Sequence, residues 1–517
     1  MFSKYQGNRL KTLQASSILV LSSAVVLALF LWQGHKGFSL RDEGYLWYGA
    51  QRVMLGEVPL RDFMSYDPGR YYWSASLMSL WGDNGIMTLR GAVAVFQVIG
   101  LFAGLLLIAR STKNQSLVYL LLAAGTLVLW MFPRHKLFDI SLSILLIGGL
   151  TFLIRNPTSL RYFFAGACVG LVAVFGRNHG VYGVMGSLGV MAWLTIRRVD
   201  QPGFIKGSML WAAGIIVGFA PVLLMVWLVP GFAIAFWESI RFLFEVKATN
   251  LPLPVPWPWT APFDSVSVGE AIRGVLVGLF FIGTIAFGVI AIAWVTWQKF
   301  RQNVVAPVLV ATAFLALPYA HYAYSRADVG HLALGIFPFL VGCLALLAAQ
   351  PARIKWPAVF LLGGASLWVM LVFHPGWQCD TSKQCVNIEV SGSELNVTPN
   401  IAGDVRLLRK LADEYAPHDR SFVATPFWPG AYPLLARKSP MWEIYALFPR
   451  NEVFQQQEIE RIRTAEPGFI LIYDLPLDGR EELRFRNTHP LIHQYILDNF
   501  ELLPGAPNPA YQIYKSA

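Results

Sequence analysis

The chain has 517 residues, of which 55% are hydrophobic and only 14% are charged, and its formal net charge is +10. With a mean hydropathy of +0.49, this composition is too apolar for a soluble globular domain and favours a polytopic membrane protein. The basic residues are scattered over short connections between apolar segments, and the sequence contains no basic patch, zinc finger or RNA-binding signature. This pattern argues against a nucleic-acid-binding protein.

Long apolar segments recur along the first 373 residues. A helix needs about 20 mainly apolar residues to cross the hydrocarbon core of a membrane, with a range of about 17 to 25. The first segment follows a basic stretch, but it lacks a clear small-residue cleavage site before Gln33, so we predict an uncleaved helix rather than a signal peptide. We predict eleven spanning helices, the fourth to sixth being short: 16–34, 87–109, 116–132, 140–154, 163–176, 181–196, 207–229, 274–297, 304–320, 333–349 and 357–373.

Lysine and arginine in short loops indicate the cytoplasmic side of a membrane protein. The N-terminal stretch and the even-numbered connections are basic, so we predict a cytoplasmic N-terminus, with the odd-numbered connections and the C-terminus on the opposite side. The short loops and the absence of retention signals suit a bacterial inner membrane. The basic residues are Lys4, Arg9, Lys11, Arg110, Lys113, Arg155, Arg161, Arg197, Arg198, Lys206, Lys299, Arg301, Arg353 and Lys355.

The composition changes after Phe373, and we predict a membrane domain over 1–373 and a soluble periplasmic α/β domain over 374–517. Cys379 and Cys385 lie at the start of this tail, where an oxidising compartment makes a disulfide plausible, with two free thiols as the alternative. Helices that alternate with short apolar strands favour the α/β class. We predict helices at 405–415, 455–464 and 490–499, and strands at 421–425, 469–473 and 512–514.

The connection after the first span, residues 35–86, holds carboxylates, arginines and aromatic rings at a membrane boundary. Asp42 and Glu43 follow the span directly, and Arg70 and Tyr71 come shortly before the next one. Ionisable groups are costly to hold at such a boundary, so a cluster with both signs indicates an active site. The alternative is an amphipathic loop whose charges only face water.

Other odd-numbered connections also carry clustered ionisable groups. The second connection places Arg134, His135, Lys136 and Asp139 at the start of the fourth span, and the fifth contains Arg326, which could pair with Asp328. Asp139 could instead be a helix cap stabilised by the helix dipole. The long fourth connection, 230–273, is rich in proline and tryptophan, and we predict a re-entrant or surface-lying flap.

These groups fit the transfer of a sugar from a lipid-phosphate carrier to an acceptor. A carboxylate, Asp42 or Glu43, would take the proton of the acceptor hydroxyl, and cations would stabilise the leaving phosphate. The proposed phosphate-binding or substrate-binding residues are Arg70, Arg134, His135, Lys136 and Arg326. Tyr71 and its aromatic neighbours offer flat rings for a sugar, although an interfacial aromatic belt is the alternative for most of them.

The acidic pair Asp42–Glu43, a helical stretch, and the run DPGRYYW before the second span resemble the GT-C glycosyltransferases. The resemblance is to the family 39-like group, of the protein O-mannosyltransferase and aminoarabinose lipid A transferase type. It implies that Asp42 is the catalytic carboxylate and that Arg70 stands where relatives contact the carrier phosphate through a Lys-Pro-Pro-x-x-x-Trp-like run. The run RHKLFD resembles the second acidic site of the family, which makes Asp139 a candidate partner.

This resemblance covers the membrane part and the tail. It implies an undecaprenyl-phosphate or similar polyprenyl-linked sugar as donor, an inverting transfer, and a glycan, lipid or protein as acceptor at the outer face of the bilayer. Some GT-C enzymes use a divalent cation such as Mg²⁺ or Mn²⁺, and Asp42, Glu43 and Asp139 could supply oxygen ligands, but no spacing requires a metal. The alternative class is a transporter or flippase of lipid-linked saccharides, which often shows internal repeats and interrupted helices.

Overall fold

The computed structural model describes residues 2–112, 116–196, 202–247, 250–382 and 384–516, without the side chains of residues 2–12 and 382. Three of the predicted cytoplasmic signals, Lys113, Arg197 and Arg198, lie outside the described residues. The side chains of Lys4, Arg9 and Lys11 also lie outside the described part.

Helices dominate the chain up to the start of the tail. They are α1 (Phe2–Gln33), α2 (Asp42–Met54), α3 (Pro68–Trp81), α4 (Ile86–Ala109), α5 (Leu117–Trp130), α6 (Leu137–Arg155), α7 (Ser159–Phe175), α8 (Arg177–Thr195), α9 (Phe204–Gly218), α10 (Ala220–Leu228), α11 (Phe232–Val246), α12 (Val268–Phe300), α13 (Pro307–Ser325), α14 (Val329–Gly335), α15 (Phe337–Ala348) and α16 (Ala352–Met370). Each of the eleven predicted segments coincides with one of these helices or with a bent pair of them.

The chain is a polytopic helical membrane protein, as its composition predicts. Among the described residues, five helical segments are long and apolar enough to cross a membrane, and the count reaches seven if α9 with α10 and α14 with α15 each form one bent span. This number is lower than the eleven predicted crossings. The difference arises because α5 and α7 are apolar but only 14 and 17 residues long. α8 and α13 have 19 residues each but are not apolar enough to be counted.

Two compact units divide the chain. The bundle unit comprises Met1–Gly34, Val93–Leu224 and Thr249–Gln378. The mixed unit comprises His35–Ala92, Met225–Ala248 and Cys379–Ala517, so the connection after the first span belongs with the tail.

The tail part of the mixed unit contains two small sheets. An antiparallel hairpin joins β1 (Val386–Val390) to β2 (Ser393–Val397). The second sheet has the order β3-β4-β6-β5, and its strands are β3 (Val423–Thr425), β4 (Phe469–Tyr473), β5 (Phe500–Leu502) and β6 (Tyr511–Ser516). β3 and β4 are parallel, whereas β6 is antiparallel to both β4 and β5. The tail therefore combines helices and small sheets, in agreement with the predicted α/β class.

Helices cover this second sheet. Buried Ile470 and Ile472 of β4 belong to one apolar core with Ile462, Ile492 and Ile496 of the helices. The core forms because the apolar side chains of amphipathic helices are removed from water against the sheet. The tail helices are α17 (Pro375–Ser382), α18 (Pro399–Tyr415), α19 (Ala431–Leu434), α20 (Glu452–Ala465), α21 (Phe485–Thr488) and α22 (Pro490–Asn499).

The long connection at 230–273 has two different parts. Its first part is α11, in the mixed unit, where the Phe242 ring lies 6.3 Å from the ring of Phe448. Its proline-rich part contains only a 3₁₀ turn at Pro258–Thr260, because proline removes the backbone donor that a longer helix needs. The re-entrant or surface-lying flap stays a prediction.

Candidate functional site

The start of α2 is fixed within the mixed unit by close backbone packing. The Leu40 carbonyl accepts a hydrogen bond from the Gly430 amide at 2.8 Å. A Cβ atom at Gly44 would lie only 2.4 Å from the Gly430 Cα, so a side chain cannot fit there without a backbone shift. Glycine thus allows α2 to begin against the tail, with Arg41 in the cap position and Asp42 as the first helical residue.

Asp42 is a partly exposed carboxylate. The Tyr445 hydroxyl donates a hydrogen bond to Asp42 Oδ1 at 3.2 Å, and the Asp42 amide donates one to Ser39 Oγ at 3.2 Å. Burial, with the nearby Asp42 carboxylate, raises the pKa of Tyr445 well above its ordinary value, which keeps this hydroxyl a donor. Asp42 therefore has one oriented carboxylate oxygen and lies at a partly exposed position.

Glu43, the next residue, has different surroundings. The Arg90 Nε and Nη2 atoms donate to the two carboxylate oxygens of Glu43, each at 2.7 Å. The side chains of Arg90 and Glu43 are only 2% and 8% exposed. Arg90 Nη2 also donates to the Gly37 carbonyl at 2.7 Å. This bidentate pair joins α2, α4 and the chain before α2, so Glu43 contributes to the architecture of the site.

Arg70 and Tyr71 lie in α3 and are both buried. The Arg70 guanidinium lies 4.7 Å from the centre of the Tyr66 ring. Arg70 is only 2% exposed. Tyr71 is completely buried, and its hydroxyl accepts a hydrogen bond from the Tyr66 amide at 3.1 Å. In this structure the Tyr71 ring packs against Phe63, and its contact with a sugar stays a prediction.

Sequence reasoning missed two residues that shape this site, Arg90 and Tyr445. Arg90 lies inside the second predicted span, where an arginine is energetically costly unless it is paired. Its presence in an apolar segment could therefore have indicated a buried acidic partner. Tyr445 lies in an irregular part of the tail, and nothing in its sequence surroundings indicates a contact with Asp42.

The bundle unit holds a buried polar cluster around Asp139, in the first turn of α6. His179 Nε2 lies 2.8 Å from Asp139 Oδ1, and His179 Nδ1 lies 2.8 Å from the Tyr319 hydroxyl. Asp139 is 2% exposed, and the other two residues are fully buried. The cluster connects α6, α8 and α13, so Asp139 is a bridging residue rather than a simple helix cap.

The other predicted phosphate-binding residues also belong to the bundle unit. Arg134, His135 and Lys136 form a partly exposed 3₁₀ turn directly before α6, which we name the basic turn. Arg134 donates to the Gln33 carbonyl at 3.1 Å. Arg326 is engaged with Asp328 Oδ2 at 2.9 Å, so this predicted pairing is present.

The remaining questions about the site are the state of the two tail cysteines and the presence of possible metal ligands. Cys379 and Cys385 are joined by a disulfide. Among the residues that the structure describes, no group of three or more His, Cys, Asp or Glu side chains could hold a metal ion.

Fold and site define a class of polytopic helical membrane protein in which a connection near the first span is built into a mixed α/β unit. In the comparison with solved structures, the crystal structure of ArnT from Cupriavidus metallidurans bound to undecaprenyl phosphate has a TM-score of 0.56 at 12% sequence identity. The structural alignment covers 96% of this chain and 97% of the ArnT chain.

The apo structure of the same protein gives a TM-score of 0.50 at 13% identity, over 97% of this chain and 98% of ArnT. The chain therefore shares the fold of these ArnT structures, in agreement with the fold that the sequence resemblance predicted. No protein-family model matches the sequence, and the search for curated relatives also gives no match.

Proposed function

We propose that this protein is a glycosyltransferase that moves a sugar from a polyprenyl-phosphate donor to an acceptor at the outer face of a bacterial inner membrane. The similarity to ArnT extends over 96% of the chain, and that ArnT structure is bound to undecaprenyl phosphate. The clustered carboxylates and cations of the predicted outer connections support the same chemistry. The acceptor is a glycan, lipid or protein.

The observation that carries the proposal is the difference between Asp42 and Glu43. Both oxygens of Glu43 accept hydrogen bonds from buried Arg90, whereas Asp42 is partly exposed. A general base must come within hydrogen-bond reach of the proton that it takes. Asp42 meets this requirement better, so Asp42 is the proposed base, and Glu43 is the residue that holds α2 in position.

The proposed reaction is a single inverting displacement. The acceptor hydroxyl oxygen forms a bond to the anomeric carbon while the bond from that carbon to the carrier phosphate breaks. The hydroxyl proton passes to the Asp42 carboxylate, and the bond electrons leave with the polyprenyl phosphate. One base is sufficient, and the mechanism requires no covalent glycosyl intermediate.

The basic turn Arg134–Lys136 is the proposed phosphate-binding element of the bundle unit. It is partly exposed and precedes the N-terminus of α6, where backbone amides and the helix dipole favour an anion. Arg326 is a weaker candidate because Asp328 neutralises it. Arg70 is buried in the mixed unit, so its proposed contribution to the phosphate requires local rearrangement, and Asp139 is proposed to orient His179.

A divalent cation such as Mg²⁺ or Mn²⁺ fits these residues poorly. Such ions take carboxylate oxygens as ligands, but both oxygens of Glu43 already accept from the positively charged Arg90. The adjacent guanidinium would also repel a cation. The proposed step therefore uses no metal.

The test is transfer by the purified protein in lipid nanodiscs, with a panel of radiolabelled polyprenyl-phosphate sugars and an acceptor extract, in the presence and absence of EDTA. Asp42→Asn should lower the rate by about 10² to 10⁴, the usual contribution of a general base, while donor binding is retained. EDTA should leave the wild-type rate unchanged. Asp62→Asn is the matched control, because it removes the same charge from the same connection.

Unchanged turnover in Asp42→Asn would contradict the assignment of the base and move it to Glu43 or Asp139. Loss of transfer in the EDTA arm would contradict the metal-free step. No product from any donor would contradict the function itself.

One observation favours a transporter or flippase as a second candidate. The pairs α9–α10 and α14–α15 are bent by 54° and 57° at short breaks, and interrupted helices are common in transporters. Movement of a labelled lipid-linked saccharide across vesicles by wild-type protein, without any transferred product, would support this candidate.

A further inference from the structure

The mixed unit contains a cavity of about 530 Å³ beside the start of α2. Residues 38–41, the first turns of α18 and one end of the inner strands β4 and β6 line its wall. This volume lies in the range of about 300 to 1,000 Å³ that is typical of sites for small ligands. No step of the proposed transfer has yet used this cavity.

Three aromatic rings in mutual contact form one part of the cavity wall. The ring centres of Trp428 and Tyr511 are 5.1 Å apart, those of Trp428 and Tyr473 are 5.7 Å apart, and those of Tyr473 and Tyr511 are 5.1 Å apart. Aromatic side chains of this kind combine a flat apolar face with a polar edge. A pyranose ring matches such a surface, because its C–H face can stack while its hydroxyls remain hydrogen-bonded.

Hydrogen-bond donors and acceptors form the rest of the cavity wall. The Arg41 guanidinium lies 5.1 Å from the centre of the Tyr473 ring, and Asp404 Oδ1 accepts a hydrogen bond from Tyr511 at 2.7 Å. Asn508 adds an amide side chain. Burial raises the pKa of Asp404, although Tyr511 and Arg41 oppose this shift. Donors and acceptors next to aromatic rings suit a hydroxyl-rich ligand and not an aliphatic chain.

Gly403 keeps part of the cavity open. It lies within α18 and lines the cavity, and a Cβ atom at this position would meet no other atom within 4 Å. Glycine inside a helix is destabilising relative to alanine. Close packing therefore does not require this glycine, and its effect is to leave space in the cavity.

The cavity wall includes the residue that precedes the proposed base. Arg41 lines the cavity, and Asp42 is the next residue. The Arg41 guanidinium lies 5.8 Å from the centre of the Phe427 ring, which contacts Tyr445, the hydrogen-bond donor to Asp42. A ligand in the cavity would thus contact Arg41, whose guanidinium packs on the ring next to Tyr445.

We propose that this cavity binds a saccharide portion of the acceptor, which makes the acceptor a glycan or a glycosylated molecule. This inference rests on the proposed function, because Asp42 can take a proton only from an acceptor held beside it. The saccharide stacks on the exposed part of this aromatic wall, chiefly on the partly exposed Tyr473, and exchanges hydrogen bonds with Arg41, Asp404 and Asn508.

The first test measures binding without turnover. Labelled protein in nanodiscs is applied to an array of defined neutral and acidic oligosaccharides, and bound saccharides are remeasured in solution by saturation-transfer NMR. Wild-type protein should bind at least one oligosaccharide class. Gly403→Phe should weaken that binding about tenfold or more by filling the cavity, whereas Gly403→Ala should retain it.

Gly364→Leu is the matched control, because Gly364 is also a helical glycine whose Cβ would meet no other atom within 4 Å, but it lies in α16 of the bundle unit. This variant should bind saccharides like the wild type. Absence of binding to every oligosaccharide, or equal binding by wild type and Gly403→Phe, would overturn the proposal. Equal thermal stability of Gly403→Phe and Gly364→Leu would exclude misfolding as the cause of a loss of saccharide binding.

The second test separates the acceptor from the donor and this proposal from the proposed function. Gly403→Phe should raise KM for the acceptor and leave KM for the polyprenyl-phosphate sugar unchanged, and a higher donor KM alone would overturn the assignment to the acceptor. Asp42→Asn should still bind the saccharide. Retained saccharide binding with no transfer from any donor would contradict the proposed function, whereas transfer without saccharide binding would contradict only the cavity.

Discussion

Asp42 and Asp139 both lie in the first turn of a helix, yet their surroundings differ in kind. Asp42 begins α2 in the mixed unit, is partly exposed and accepts a hydrogen bond from Tyr445. Asp139 lies in the bundle unit, where it is 2% exposed and hydrogen-bonded to His179. A carboxylate that exchanges a proton with a substrate must be reachable, whereas a carboxylate in a closed network mainly fixes the helices around it.

The same contrast separates Asp42 from its neighbour Glu43. Glu43 is chemically almost identical and only one position away, but its carboxylate is occupied by Arg90. Burial and pairing, rather than residue type or position in the sequence, therefore distinguish a candidate base from a residue that supports it.

The largest effect on stability is expected when the Glu43–Arg90 pair is broken. Glu43→Ala leaves a buried guanidinium without its carboxylate partner, which typically costs about 3 to 5 kcal/mol of folding free energy. Asp42→Ala removes one hydrogen bond from a partly exposed residue and should cost about 0.5 to 1.5 kcal/mol. Thermal unfolding of the purified variants in detergent measures both changes.

A double variant provides the control for this prediction. Replacing both partners by apolar residues, Glu43→Leu with Arg90→Met, should recover much of the stability, because no charge remains buried alone. Equal destabilisation by Glu43→Ala and Asp42→Ala would contradict the division of roles between the two carboxylates.

The sequence was sufficient to predict the long apolar helices and several elements of the tail. Uninterrupted apolar runs identified all eleven helical segments, and the strand Phe469–Tyr473 and the helix Pro490–Asn499 have the predicted bounds. The hairpin β1–β2 was missed because its strands alternate polar and apolar residues over only five positions each. Its turn also depends on positive φ angles at Ser391 and Gly392, which the local sequence indicates only weakly.

The site could be predicted only in part. The position of the acidic pair after an apolar segment pointed to Asp42 and Glu43 together, but their different partners come from Arg90 and Tyr445, the latter 403 positions away from Asp42. The cavity likewise joins Arg41 to Trp428 and Tyr473. Such long-range contacts follow from packing of the whole mixed unit, and no local pattern encodes them.

A smaller effect is expected when the buried cluster of the bundle unit is opened. His179→Ala removes the hydrogen bonds to Asp139 and Tyr319, and the loss of satisfied buried polar groups typically costs about 1 to 3 kcal/mol. Tyr319→Phe removes only one of them and should cost less. Thermal unfolding gives these values, and transfer per folded molecule should fall much less than in Asp42→Asn. A loss of turnover as large as that of Asp42→Asn would remove the functional contrast between the two regions.

The smallest expected effect is a loss of stability of the tail at acidic pH. Buried Glu443 accepts hydrogen bonds from Arg450 Nε at 2.7 Å and from His489 Nε2 at 2.8 Å. Burial opposes its ionisation, but Arg450 and His489 outweigh burial and hold the pKa of Glu443 below its ordinary value. The neighbouring Glu458 behaves in the opposite way, since burial raises its pKa.

A lowered pKa in the folded state means that the ionised form of Glu443 stabilises the fold. This stabilisation is complete above the ordinary glutamate pKa of about 4.3 and decreases as the pH falls towards the folded value, by at most about 1.4 kcal/mol per pH unit for one proton. Resistance of the tail to limited proteolysis between pH 7 and pH 3 should therefore fall in acid. Glu443→Gln should flatten this dependence, whereas exposed Glu482→Gln should preserve it. Equal pH dependence of the wild type and Glu443→Gln would instead assign the acid sensitivity to other carboxylates of the mixed unit.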